Sequence, residues 1–243
     1  MRMLTFSGRT AREILRDPLN LFFGLAFPVL LLLLLSAIQA NVPADIFSIG
    51  RLAPGIAVFS LSFITLFSAM LLSKDRGSSL LQRLYTTPLT AGDFILGYAL
   101  PLLPISLVQS LVCYAAAVAL GLPVSVELVW AVLLMAPVVL FFMGTGLLCG
   151  SLLNDKQVGG ICGALLTQVA ALLSGAWFDV SLVGGPFAAV ANVLPYVHAV
   201  EMERAVLRGD WQGILPHLWW VLGYAAAAMA AAVWLFLRQM KRQ

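Results

Sequence analysis

Long apolar runs without charge alternate with short polar stretches along this chain, and the polar stretches set its organisation. Six runs, near residues 19–40, 52–73, 94–120, 128–153, 158–178 and 211–237, are long enough to cross a bilayer, whose hydrocarbon core of ~30 Å takes roughly 20 apolar residues in a helix. The pattern predicts an all-α polytopic membrane protein with six transmembrane helices. No stretch is left over for a soluble domain.

The longest polar interruption within the membrane part, residues 74–93, reads KDRGSSLLQRLYTTPLTAGD. It has a helix written into it. Ser79 followed by Gln82 has capping-box spacing, and Leu80, Leu81, Leu84 and Tyr85 recur as the stripe of a short amphipathic helix with Arg83 beside it. Pro88 pushes Thr87 out of α geometry and ends that helix near Thr86. Thr90 and Asp93 then cap the following span. The stripe has two readings: it dips into lipid headgroups, or it is buried against a partner.

Residues 1–17 form a second amphipathic element. At 100° per residue Arg2, Arg9, Arg12 and Arg16 share one face, and Leu4, Ala11, Ile14 and Leu15 share the opposite one. Such a helix ahead of a span is expected to lie along the interface. The first apolar run is longer than the roughly 7–15 residues of a signal-peptide core, and Glu13 and Asp17 precede it, so a retained span is expected.

Composition and charge sharpen the topology. The chain is 61% apolar and 10% charged, with a mean hydropathy of +0.98. Of its 14 basic residues, all but Arg51, Arg204 and Arg208 fall on one side if the six runs are threaded in order. The positive-inside rule then puts both termini and the 74–93 island in the cytoplasm. No basic patch interleaved with aromatics points to nucleic acid.

The loops away from the island, 41–51 and 121–127, are short. Residues 154–157 alone join the fourth and fifth runs, which predicts a tight hairpin. Gly146 and Gly150, then Gly159, Gly163, Thr167, Ala171 and Gly175, form small-residue ladders at i+4 spacing, and Gly223, Ala227 and Ala231 repeat the idea. Ladders of this kind let backbones approach closely in lipid, within one chain or between two. Residues 179–210 are apolar but broken at Gly184-Gly185-Pro186 and again at Pro195, leaving a piece too short to cross. A re-entrant or outer-surface segment is expected there.

The chemistry an enzyme needs is missing from the pattern. His198 and His217 are the two histidines, without Cys or acidic partners at ligand spacing, so no metal site is expected. Cys113, Cys149 and Cys162 read as small apolar residues. The six runs lack the buried ionisable residue that binds a coupling ion in many carriers. There is no GxxxxGK[ST] loop. A transporter with neither must be driven by another protein. Uncharged polar residues inside the runs are candidate path residues or helix–helix glue: Ser60, Ser62, Thr65, Gln109, Thr167 and Gln168.

Asp75-Arg76, Leu81, Arg83-Leu84, Thr86-Thr87-Pro88-Leu89 and Ile95-Leu96-Gly97 together resemble the hallmark segment of ABC-2 type exporter permeases. Gly77 stands where many members carry an acidic residue, and Gln82 where many carry Glu. Ser174-Gly175, Phe178, Pro186, Leu194-Pro195 and His198-Ala199-Val200-Glu201 resemble the C-terminal region of the same family, so the likeness covers nearly the whole chain as one transmembrane domain, 1–243. The resemblance implies that residues 74–93 carry a coupling helix docking on a separate ATPase subunit through Ser79, Leu80, Leu81, Gln82, Arg83, Leu84, Tyr85, Thr87 and Pro88. It implies that the chain is not itself an enzyme and holds no cofactor, ATP-Mg being bound by that partner. It also implies a second permease copy, identical or not, and a path lined by the first, second and fifth spans, which favours Thr65, Thr167 and Gln168. The cargo expected for a charge-free path is an amphipathic or hydrophobic small molecule, peptide or lipid, moved out across a bacterial cytoplasmic membrane. Export of a glycolipid or polysaccharide, a non-transporting scaffold or sensor holding an ATPase, and a passive channel are the alternatives.

Overall fold

The computed structural model describes residues 2–41, 48–77 and 91–240, and among these the chain is helical with no strand. Six helices are long and apolar enough to cross a membrane: Phe22–Gln39, Ile49–Gly77, Ile95–Ala119, Glu127–Leu152, Asp155–Leu173 and Trp211–Arg238. The expected all-α class with six spans is the architecture found. An N-terminal helix, Arg2–Arg16, precedes the first span, and three short helices, Val180–Val183, Gly185–Val193 and Pro195–Leu207, lie between the fifth and sixth.

The second span is the axis of the bundle. It is buried along nearly its whole length, while the first, fifth and sixth are largely exposed. It packs on the first, third, fourth and fifth spans, and the fourth span also packs extensively on the sixth. In lipid there is no hydrophobic drive to bring helices together, so close backbone contact decides which pair. Gly146 and Gly150 supply that contact. A Cβ on Gly150 would lie 2.6 Å from the Ala69 carbonyl oxygen, and one on Gly146 would collide with Ser68 and the Thr65 carbonyl. These two members of the ladder serve packing within the chain, as does Gly163 against Leu66; a Cβ on Gly159 or Gly223 would meet open space.

Peripheral spans present apolar side chains outward, among them Leu30, Leu33 and Leu34 on the first, Leu165 and Leu172 on the fifth, and Trp219 and Trp234 on the sixth. That surface suits lipid. Two spans are locally widened into π-helix, at Phe22–Ala26 and Gly159–Leu166, a geometry frequent at functional sites.

Three features depart from the one-dimensional reading. The second helix runs on to Gly77, so Lys74, Asp75 and Arg76 form its last turn and not the start of a loop. The N-terminal helix buries Phe6, Ser7, Thr10 and Ile14, while Leu4 and Leu15 of the expected apolar face stay exposed. The segment before the sixth span is broken where expected, at Gly184 and Gly185 with φ of +62° and +54° and again at Pro195, yet its longest helix is no surface element. Pro195–Leu207 packs into the bundle against the second, fourth and sixth spans.

Candidate coupling site and membrane interior

Residues 79–88, to which the coupling contacts are assigned by pattern, lie outside the described residues. Both ends of the island are described, and one carboxylate ties them together. Asp75, in the last turn of the second span, accepts from both terminal nitrogens of Arg9, at 3.2 and 3.0 Å, and from the hydroxyl of Tyr98 at 2.6 Å. Arg9 belongs to the N-terminal helix and Tyr98 to the third span. Three elements therefore meet on a side chain only 6% exposed.

The local sequence explains the meeting. Phe6, one turn before Thr10, lays its ring edge-on to Tyr98 with centroids 5.1 Å apart. Gly97 makes room, since a Cβ there would reach Phe6 Cε1 at 2.9 Å and its neighbour closer still. Glu13, one turn after Arg9, takes a second contact with the guanidinium at 3.2 Å. The hydrogen bond to Asp75 holds the Arg9 proton more firmly than usual. The same turn of the second span also grips the fourth–fifth hairpin. Arg76 donates to the Gly150 carbonyl at 2.7 Å, and the Ser73 hydroxyl donates to Asp155. Asn154 and Gln157 cap that hairpin reciprocally.

The path candidates from the sequence are dispersed. Thr65, buried, donates to the Phe142 carbonyl at 3.0 Å, and Thr167 donates to the Cys162 carbonyl at 3.0 Å inside its own widened helix. Gln168 is exposed. Gln109 crosses to the Ser60 carbonyl at 2.9 Å, and Ser60 bonds back to Ala57. Of these groups Thr65 and Gln109 tie the second span to its neighbours, while Ser60 bonds back within its own helix.

At the end of the bundle opposite the island, polar pairs invisible in the pattern hold the short helices. Glu203 is wholly buried and accepts from the Tyr114 hydroxyl at 2.8 Å, its other oxygen having no partner among the described residues. Desolvation raises its pKa well above the usual carboxylate range, which favours the neutral acid. Arg204 donates to the Gly175 carbonyl at 2.9 Å and to Glu201 at 2.7 Å, pinning the turn where the fifth span ends. Arg51 pairs with Asp179 at 3.0 Å, and Asp179 is held below its ordinary pKa first by Ser181 and then by Arg51. His198 Nε2 lies 2.9 Å from the Asn192 carbonyl, so it carries the proton, and its Nδ1 faces His217 Nδ1 at 2.8 Å. A neutral His198 accepts there, which makes His217 the donor. Among the described residues no three potential ligands gather into a metal site.

The model of the ABC-2 type transporter family matches residues 2–207, most of the chain. The chain belongs to the ABC-2 type transporter family. No curated protein matches it. As an ABC-2 membrane domain it is a multi-pass membrane protein and the permease component of an ABC transporter, in a family whose permeases generally work with a separate ATPase subunit. In this permease the Asp75 clamp bridges the two strands of chain that enter and leave the island.

Proposed function

We propose that this permease exports an amphipathic or hydrophobic cargo across a bacterial cytoplasmic membrane, driven by ATPase subunits docked on its 74–93 island. The observation that carries this reading is the Arg9–Asp75–Tyr98 clamp. A push on the island meets no slack at its base, because the second span, third span and N-terminal helix share one buried carboxylate. The second span then carries the displacement through the whole bundle, being packed on four of the other five spans.

In this reading Leu80, Leu81, Leu84 and Tyr85 insert into the ATPase, Gln82 and Arg83 set polar register beside Ser79, and Thr87 and Pro88 form the stiff turn into the third span. Both termini are cytoplasmic, and two permease copies face each other across the path. Nucleotide-driven closure of the ATPase pair favours one of two span arrangements, since a partner shifts an equilibrium only through differential contact with its states. Apolar cargo is favoured because the spans carry no ionisable residue between the Asp75 clamp and the opposite end. Thr65, Thr167 and Gln168 remain the proposed path residues.

The test is Leu81→Asp, which sets a charge on the docking stripe. Co-purification of an ATPase subunit and export of an apolar dye from loaded cells should both be lost, while membrane insertion is kept. Unchanged export by a well-expressed variant would remove the coupling role.

A further inference from the structure

We propose that each chain holds one anionic phospholipid at its N-terminal helix, in the leaflet on the island side, with an acyl chain in the cleft between the first and third spans and the phosphate on Arg12, Arg16 and Lys74. The cleft has a volume of about 240 Å³ and almost purely apolar walls, including Leu15, Leu21, Gly24, Leu25, Ile105 and Val108. Its hollow has a local cause. The first span is widened into π-helix at Phe22–Ala26, and Gly24 contributes no side chain there. Facing it, Gln109 donates to the Ser60 carbonyl and forms part of the cleft wall, where a Cβ on Gly24 would lie 3.4 Å from its Oε1.

Charge marks the headgroup end. Where Leu15 enters the apolar cleft, the C-terminal end of the N-terminal helix contributes Arg12, Glu13 and Arg16 to a second, polar hollow, together with Asp17 just beyond it, Arg9 and Lys74. Arg9 is engaged by Asp75 and Glu13. Arg12, Arg16 and Lys74 are exposed, and among the described residues they have no ion-pair partner. Arg12 and Arg16 lie within one helical turn of Leu15 in the cleft wall, and Lys74 lines the same polar hollow as they do. Three such cations beside an apolar cleft match a phosphodiester joined to an acyl chain. A zwitterionic lipid would fill the cleft equally well but leave the excess positive charge unbalanced; surface cations each strengthen binding to anionic lipid. An acidic protein surface is the rival occupant of the cations, but it would leave the apolar cleft beside them empty.

The probe is phosphatidylglycerol against phosphatidylcholine, added in mixed micelles to the full chain purified in mild detergent with whatever subunits accompany it. Native mass spectrometry and thermal unfolding are the readouts. The expected result is one phosphatidylglycerol retained per chain and a larger rise in unfolding midpoint than phosphatidylcholine produces. The triple variant Arg12→Gln, Arg16→Gln, Lys74→Gln, all at exposed positions, should lose roughly tenfold in phosphatidylglycerol affinity and with it the preference. Val108→Trp, which fills the cleft from its lipid-facing rim, should lose retention of both lipids. Equal retention of the two lipids by wild type and triple variant would overturn the proposal and leave ordinary lipid solvation of an apolar face. Unchanged lipid retention with loss of a bound ATPase subunit in the triple variant would overturn it too, making the cations a protein dock.

Discussion

Arg9 and Asp75 meet through two hydrogen bonds of 3.2 and 3.0 Å although 66 residues separate them. The carboxylate is 6% exposed and the guanidinium 41%, so their contact is neither a surface ion pair nor a fully buried one. Removing Arg9 takes both charge-assisted hydrogen bonds from a buried carboxylate; removing Asp75 leaves an Arg that can turn to water.

That asymmetry predicts that Arg9→Ala destabilises more than Asp75→Asn. About 1–3 kcal/mol is expected for Arg9→Ala, the usual cost of stranding a buried charged acceptor, reduced toward the lower end by the solvent reaching Arg9. Thermal unfolding in detergent measures it. A double-mutant cycle with Tyr98→Phe should show non-additivity, because both partners bind the same carboxylate.

Gly146→Leu should be among the most damaging single changes in the chain. Its side chain would enter the space held by Ser68 and the Thr65 carbonyl, and the second and fourth spans could not keep their approach. Over-packing of this kind costs about 1–3 kcal/mol or more. Gly223→Leu, with open space at its Cβ, is the control. Yield and monodispersity on size exclusion should fall for the first and hold for the second.

Glu203 makes stability depend on pH. Burial raises its pKa, so the folded chain holds the proton over a range where the unfolded chain has released it. Stability from this group is full below the ordinary Glu value of about 4.3 and is lost as pH rises toward the raised folded value. Glu203→Gln keeps an acceptor for Tyr114 and cannot ionise, so it should flatten that part of the profile and match or exceed wild type on the alkaline side. Glu203→Ala should cost about 1–3 kcal/mol through the stranded Tyr114 hydroxyl and the cavity. Unfolding midpoints across pH decide both.

His198 acts at the acid end with the opposite sign. Burial lowers its pKa, so its contribution is present above the ordinary His value of about 6.5 and is lost as pH falls through the lowered folded value. The geometry gives the reason: Asn192 already takes the Nε2 proton, so a second proton must go on Nδ1, where it meets the His217 donor at 2.8 Å. His198→Phe should make the midpoint less sensitive between pH 7 and 5, measured by the same scan.

The sequence by itself determined how many times the chain crosses the membrane, where the hairpin between the fourth and fifth spans turns, and where residues 179–210 break. Those features follow from transfer of a segment into lipid and from the backbone limits of Gly and Pro, both local properties that a linear pattern records. The island was legible for the same reason, as polar residues between two apolar runs, with residues 79–88 named from spacing and family likeness. What the tertiary structure alone decided is which polar groups are neutralised by which. Asp75 reads as part of a solvated loop until the second helix is seen to continue to Gly77 and bring it under Arg9 and Tyr98. Glu203 reads as surface until the helix that carries it packs inward against Tyr114, 89 residues away. Phe6 and Thr10 had a local signal, one turn apart on a single face, yet the burial of Phe6 depended on Gly97 of the third span leaving it room. Pairing of polar groups inside a bundle has no period along the chain. It is set by which helix backbones can approach, and that is decided only when the spans pack.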